Sequence, residues 1–317
     1  MPQPVIAIVG PTAAGKSGLS LQLARLLDGE IVNADSMQLY RGMDIGTAKL
    51  PPDEREGVPH HLLDIWDVTA AANVAEYQRL ARRAIDAIHA RGRLPIVVGG
   101  SGLYVRAVID NLDFPGTDPE LRERLEHELA EVGPAAMHAK LARLDPAAAD
   151  AILPGNGRRI VRALEVLELS GLPFSATLPS YEAVYDVVQV GVDLPRDRLD
   201  ERIAARVAGM WAAGLVAEVA SLAKAGLRDG RTASRALGYA QVLRFLDGQW
   251  SQEEAAAQTV KATRRFARRQ LSWFRRDARI TWLSAGEPEL AGRAMATIES
   301  CGLPRATERA TDRKSVV

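Results

Sequence analysis

A chain of 317 residues that is 47% hydrophobic can bury a large core, and one main domain with an elaboration is expected. Lys and Arg total 40 against 40 Asp and Glu, so no global field marks a nucleic-acid binder, and the single cysteine, Cys301, excludes an internal disulfide or a cysteine-built zinc site and reads as a packed thiol. No run approaches the ~20 apolar residues of a membrane span and the N-terminus lacks a signal-peptide pattern, so a soluble cytoplasmic protein working away from membranes is expected. A monomer is expected as well.

The first predicted element is the buried strand Val5–Val9, which breaks into Gly10-Pro11-Thr12-Ala13-Ala14-Gly15-Lys16-Ser17 and a helix carrying Leu19, Leu21, Leu23, Ala24, Leu26 and Leu27. This is G-x-x-x-x-G-K-S between a strand and a helix. Loop amides and the helix N-terminus suit phosphate oxygens, Lys16 adds a point charge, and the Ser17 hydroxyl suits magnesium. A second strand over Glu30–Ser36 delivers Asp35 and Ser36 to the sheet edge where the phosphate loop also lies; Asp35 reads there as a catalytic carboxylate or as a helix cap.

Residues Met37–Lys49 and Pro51-Pro52 form a long passage without periodicity, of the kind that carries function. Leu62–Ile65 is expected as a short strand, and the preceding His60-His61 pair suits packing or loop hydrogen bonds better than a metal. Val74–Arg91 reads as an amphipathic helix with Ala75, Leu80, Ala84, Ile85 and Ile88 inward. Leu94–Val98 is a third buried strand ending in Gly99-Gly100-Ser101, where a generic phosphate-loop ATPase would carry an acid; the glycines suggest backbone close to a ligand.

From Asp113 to about Val184 only helices are expected, over Pro119–Ala130, Ala135–Leu144, Ala147–Ile152 and Gly157–Ser170. A solvated basic face accounts for Arg158, Arg159 and Arg162 there as well as phosphate contact does. Tyr185–Val192 returns as a strand, Arg198–Lys224 as one or two helices bearing Arg202 and Arg206, and Arg235–Tyr239 as a turn. The helix Ala255–Arg276 follows, with Lys261, Arg264, Arg265, Arg268 and Ser272 on one side. Between Lys261 and Arg279 eight basic residues face one acid, Asp277. Thr281–Leu283 is an expected edge strand and Arg305–Val317 a disordered tail. The fold class is therefore α/β: a nucleotide-kinase-like parallel sheet over 1–112 and 185–304, a helical insertion over 113–184, and a tail over 305–317.

Five of these segments in matching order resemble the bacterial tRNA dimethylallyltransferases: Gly10–Ser17, Asp35–Gln38, Gly42–Lys49, Gly99–Tyr104 and Arg268–Phe274. The chain carries Ser101 where such enzymes usually have threonine, Arg158 where they have glutamine, and Ala240 where they have a basic residue. The resemblance implies transfer of a dimethylallyl group from dimethylallyl diphosphate to the exocyclic amine of the adenosine 3′ to a tRNA anticodon, with magnesium as cofactor and the tRNA anticodon arm as partner. It implies diphosphate contacts along Gly10, Pro11, Thr12, Ala13, Ala14, Gly15, Lys16 and Ser17, the last also holding magnesium, with Arg206 or its neighbour Arg202 on the far side. Asp35 would be the base, with Ser101 positioning the adenine. Contacts to tRNA would come from Asp35, Ser36, Met37, Gln38, Ser101, Arg122, Arg158, Arg159, Arg162, Arg235, Gly238, Tyr239, Arg264, Arg268 and Gln270. The competing readings are a small-molecule kinase, in which the same loop holds ATP, and a non-catalytic RNA-binding ATPase.

Overall fold

Alternating burial sets the architecture. In β1 (Pro4–Val9), Val5, Ala7 and Val9 point into one apolar layer while Ile6 and Ile8 point into another, so the strand is covered on both faces as a parallel sheet requires. A computed structural model describes residues 4–171, 173–174 and 181–303. After β1 come α1 (Lys16–Leu27), β2 (Gly29–Asn33), β3 (His60–His61), α2 (Val74–Ala90), β4 (Leu94–Gly99) and α3 (Gly102–Ile109). The chain goes on through α4 (Pro119–Leu144), α5 (Pro146–Ala151), α6 (Gly157–Ser170) and β5 (Asp186–Asp193). It finishes with α7 (Arg196–Ala212), α8 (Leu215–Lys224), α9 (Tyr239–Leu246), α10 (Gln252–Phe274), β6 (Ile280–Ser284) and α11 (Leu290–Ser300).

The six strands form one parallel sheet in the order β3-β2-β4-β1-β5-β6. One face packs on α1 and α11 through Leu23, Leu27, Met295 and Ile298; the other packs on α2, α3, α8 and α9 through Ile85, Val108, Val219 and Val242. All carboxyl ends share one edge, and the chain leaves it at Gly10, Ala34 and Gly100.

Two compact units emerge, one of residues up to Asp110 together with those from Ala183 onward, the other Asn111–Glu182. The second is helical, with its own core of Leu125, Met137, Leu141, Ile160 and Leu164, and its long helix breaks where Gly133, at φ 78°, precedes Pro134.

Several expectations shift. The short strand falls on His60-His61 and not on Leu62–Ile65, because Leu62 and Asp64 take positive φ (62° and 57°) that no strand accommodates. His60 and His61 do serve hydrogen bonding: His60 Nδ1 meets the Val58 carbonyl at 2.8 Å and His61 Nε2 meets Glu30 at 2.6 Å. The buried stripe of α2 is Tyr77, Ala81, Ile85 and Ile88, shifted from the one predicted. Cys301 is exposed and not packed. The tail expected to be disordered lies outside the described residues. Among those described, no single helix is long and apolar enough to cross a membrane.

Candidate active site

Two tight backbone approaches build the loop after β1. A Cβ on Gly10, at φ 138°, would sit 2.2 Å from the Val192 carbonyl oxygen of β5, so only glycine lets the chain leave the sheet there. Gly15, at φ 103°, then starts α1 with no side-chain cap, which leaves the first amides of the helix for an anion. Lys16 Nζ donates to the Pro11 carbonyl at 2.7 Å across the loop. Burial pushes the Lys16 ammonium down to about 8, with Arg206 adding to the shift and the Asp35 carboxylate opposing it.

Gln270 of α10 reaches this loop. Its Oε1 accepts from Thr12 N at 2.9 Å and its Nε2 donates to the Gly100 carbonyl at 2.9 Å, tying the ends of β1 and β4 together. The glycines at and after the end of β4 are explained by the protein's own packing and not by a ligand alone. A Cβ on Gly99 would lie 2.3 Å from the Ala34 oxygen, one on Gly100 2.2 Å from Gln270 Nε2, and one on Gly102 2.1 Å from the Trp273 ring.

Asp35 sits beyond the end of β2, held by Asn33, whose Oδ1 accepts from Asp35 N at 3.0 Å and whose Nδ2 donates to the Asp35 carbonyl at 3.1 Å and the Leu62 carbonyl at 3.0 Å. The Tyr77 hydroxyl donates to the Asn33 carbonyl at 2.8 Å; burial, with Tyr104 and Asp35 nearby, holds that phenol far above its usual range and keeps it a donor. One carboxylate oxygen of Asp35 accepts from Met37 N at 2.9 Å in a turn that starts no helix, so the side chain caps no helix but holds its own loop while lining the cleft. Ser36 and Ser101 meet through their hydroxyls at 3.3 Å, joining the loops after β2 and β4.

A cleft at this edge is lined by Thr12, Lys16, Ser17, Asp35, Gln38, Thr47, Gly100, Arg206 and Gln270 among others. Arg206 Nη2 donates to the Thr47 carbonyl at 3.4 Å, and burial lowers its guanidinium from the ordinary value while Asp35 opposes that. Arg202 is exposed, yet its Nη1 lies 3.8 Å from where a Gly15 Cβ would stand, so both arginines of α7 flank the loop. The cleft thus sets one carboxylate against two desolvated cations and a free helix N-terminus, an arrangement suited to holding a diphosphate beside a base.

Other predicted residues go elsewhere. Gln270 is 5% exposed and its amide is engaged by the loops it bridges. Gly238 and Tyr239 are buried too: the Tyr239 hydroxyl bonds to Glu218, while Arg235 stays exposed. Arg264 donates to the Asp200 carbonyl at 3.2 Å and approaches its carboxylate at 3.7 Å, whereas Arg268 is exposed with no partner among the described residues. In the helical unit Arg122 pairs with Glu165, and Arg162 bonds to Glu165 at 2.7 Å and to the Pro115 and Gly116 carbonyls; Arg158 and Arg159 are exposed. Asn33 and Glu218 were missed by sequence reasoning. A polar residue closing a buried strand is the only signal the first offered, and the second offered none.

The sheet and its glycine-bounded loop are those of a P-loop-like α/β protein. The family model described as IPP transferase matches residues 38–277. A tRNA dimethylallyltransferase of Thermobifida fusca is 68% identical over 299 residues, covering 93% of this chain and 94% of that protein, and one of Streptomyces avermitilis is 69% identical over 286 residues, covering 90% and 92%. Among solved structures, the tRNA isopentenylpyrophosphate transferase of Bacillus halodurans matches at 42% identity with TM-score 0.69, over 95% of this chain and 98% of that one. A eukaryotic dimethylallyltransferase acting on tRNA matches at 26% identity with TM-score 0.79, over 96% of this chain and 81% of that one. This chain belongs to the IPP transferase family.

Proposed function

We infer that this chain is a tRNA dimethylallyltransferase: it moves the dimethylallyl group of dimethylallyl diphosphate to the exocyclic amine of the adenosine 3′ to the anticodon and releases diphosphate. The observation that carries the reading is the placing of Asp35 on the wall of the cleft that also holds Lys16, Arg206 and the head of α1.

The chemistry follows from those groups. The C1–O bond of the allylic diphosphate breaks as the N6–C1 bond forms. Lys16, Arg206 and the loop amides take up the charge that develops on the leaving oxygen. An aromatic amine is a weak nucleophile because its lone pair is delocalised, and Asp35 accepts the proton that the amine sheds, at the carboxylate oxygen not held by Met37 N. A positioned base of this kind contributes roughly 10²- to 10⁴-fold. Ser101, beside Ser36, is placed to orient the base from the facing loop. The adenosine must swing out of its stack, at a cost of a few kcal/mol that basic surfaces offset; exposed Arg268, Arg158 and Arg159 supply such charge.

Magnesium fits the donor set. Among the described residues no group of three His, Cys, Asp or Glu stands together, so the protein offers Ser17 at the exposed head of α1, and diphosphate oxygens and water would complete the shell that this hard ion prefers. Bound there it would neutralise diphosphate charge.

The test is incubation with unmodified tRNA and labelled dimethylallyl diphosphate. Label entering RNA supports the reading; no label, with phosphoryl transfer from ATP to a small acceptor, replaces it with a kinase.

A further inference from the structure

Glu218, on α8, hydrogen-bonds to no cleft-lining residue among those described, yet its carboxylate accepts from three consecutive backbone amides, Asp44 N at 3.2 Å, Ile45 N at 2.7 Å and Gly46 N at 3.1 Å, and from the Tyr239 hydroxyl at 2.5 Å. A Cβ on Gly46 would lie 2.4 Å from the Tyr239 ring, so glycine there lets the segment lie flat on the aromatic face. The next residue turns into the cleft: the Thr47 carbonyl accepts from Gln38 Nε2 at 3.1 Å and from Arg206 Nη2 at 3.4 Å. Beyond it, buried Lys49 bonds to Asp44 and Asp64 at 2.6 Å each and to the Tyr40 carbonyl at 2.9 Å. The segment is clamped at both ends, and the carbonyl between the clamps is the one the cleft arginine uses.

We propose that Glu218, supported by Tyr239, is a positioning residue for prenyl transfer: it fixes the 44–47 segment so that the Thr47 carbonyl holds the Arg206 guanidinium toward the diphosphate. The proposal rests on the donor reading of the cleft given above. An arginine side chain gives up rotamer freedom when it is held still, and a rigid acceptor supplies that order before the donor arrives. The half-buried Glu218 carboxylate is also better matched to these partners than a neutral replacement would be, because all four are donors.

The experiment uses the whole enzyme as wild type, Glu218→Gln, Tyr239→Phe, Arg206→Lys and the Glu218→Gln/Arg206→Lys double variant. Glu218→Gln keeps the shape but turns an NH₂ group onto backbone N–H groups. Its affinity for magnesium diphosphate by calorimetry, and kcat/KM for the donor, should fall about 10- to 100-fold, the scale of a misplaced positioning group, while KM for tRNA stays at the wild-type value. Tyr239→Phe keeps the three amide bonds and should lose less. In the double variant the loss should hardly exceed that of Arg206→Lys alone, since Glu218 acts through that arginine. Fully additive losses overturn the proposal, as does an equal weakening on the donor and tRNA sides accompanied by a lower melting temperature. Diphosphate binding is read without tRNA, so an enzyme that binds diphosphate through this clamp but prenylates no RNA refutes the assigned function and leaves the clamp standing.

Discussion

The cations of the cleft and the arginines of the helical unit are chemically alike and differently employed. Lys16 and Arg206 hydrogen-bond only to the carbonyls of Pro11 and Thr47 among the described residues, and burial lowers the proton affinity of both. Arg122 and Arg162 converge on Glu165, a carboxylate with a fully buried side chain that also accepts from Asp118 N. The bonds to these arginines hold Glu165 below the usual carboxylate range against the burial that would raise it. The contrast teaches how to read a basic residue. A desolvated cation whose hydrogen bonds go only to carbonyls can still take an anion from outside, whereas one bonded to a buried acid is already spent on the fold.

The comparison breaks first at its acid. Asp35→Asn should lower turnover by at least ~10²-fold, the scale of a lost general base, with tRNA affinity near wild type in a filter-binding assay; undiminished turnover would remove Asp35 from the mechanism. Next, Lys16→Ala should weaken magnesium diphosphate binding by about 10- to 100-fold, the loss of a charge-assisted contact, while leaving the melting temperature unchanged or raised because it deletes a desolvated charge that hydrogen-bonds to no carboxylate. The same lysine carries a pH signature. A diphosphate seated against it stabilises the ammonium and raises its value from about 8, so binding above that pH should take up a proton, seen by calorimetry in buffers of different ionisation enthalpy.

The opposite pattern is expected in the helical unit. Glu165→Gln should cost about 2 kcal/mol of stability in thermal melts and leave donor binding untouched, because its arginines work for the local structure. The smallest effect separates two neighbours on α10. Arg268→Gln should reduce the slope of log affinity for tRNA against log salt by about 0.7 to 0.9, while Arg264→Gln, already engaged by Asp200, should leave the slope nearly unchanged.

Local signals in the sequence were decisive where local physics decides. The run Val5–Val9 followed by the glycine-bounded loop specifies a buried strand and a tight turn into a helix without reference to anything distant, and the place of Asp35 at the cleft follows from its position after the next strand. What escaped depends on partners far along the chain. Glu218 meets amides 172 to 174 positions away, Gln270 bridges loops at residues 12 and 100, and Arg264 finds Asp200; none of these pairings leaves a periodic trace. The strand at His60-His61 escaped for a related reason, since two residues become a strand only because β2 offers an edge, while the apolar Leu62-Leu63 pair gave a misleading local cue.

The bridge from Thr12 to Gln270 spans 258 positions, and this has a consequence for the protein as it leaves the ribosome. The loop is encoded early, and the residue that braces it 258 positions later. Strand β1 likewise waits for β5, encoded after the helical unit, before its second neighbour exists. A nascent or truncated chain ending before α10 therefore has the loop sequence but not the braced loop, and contacts of such separation form late in folding. The tie that Gln270 makes between the loops after β1 and β4 can form only once α10 has been made.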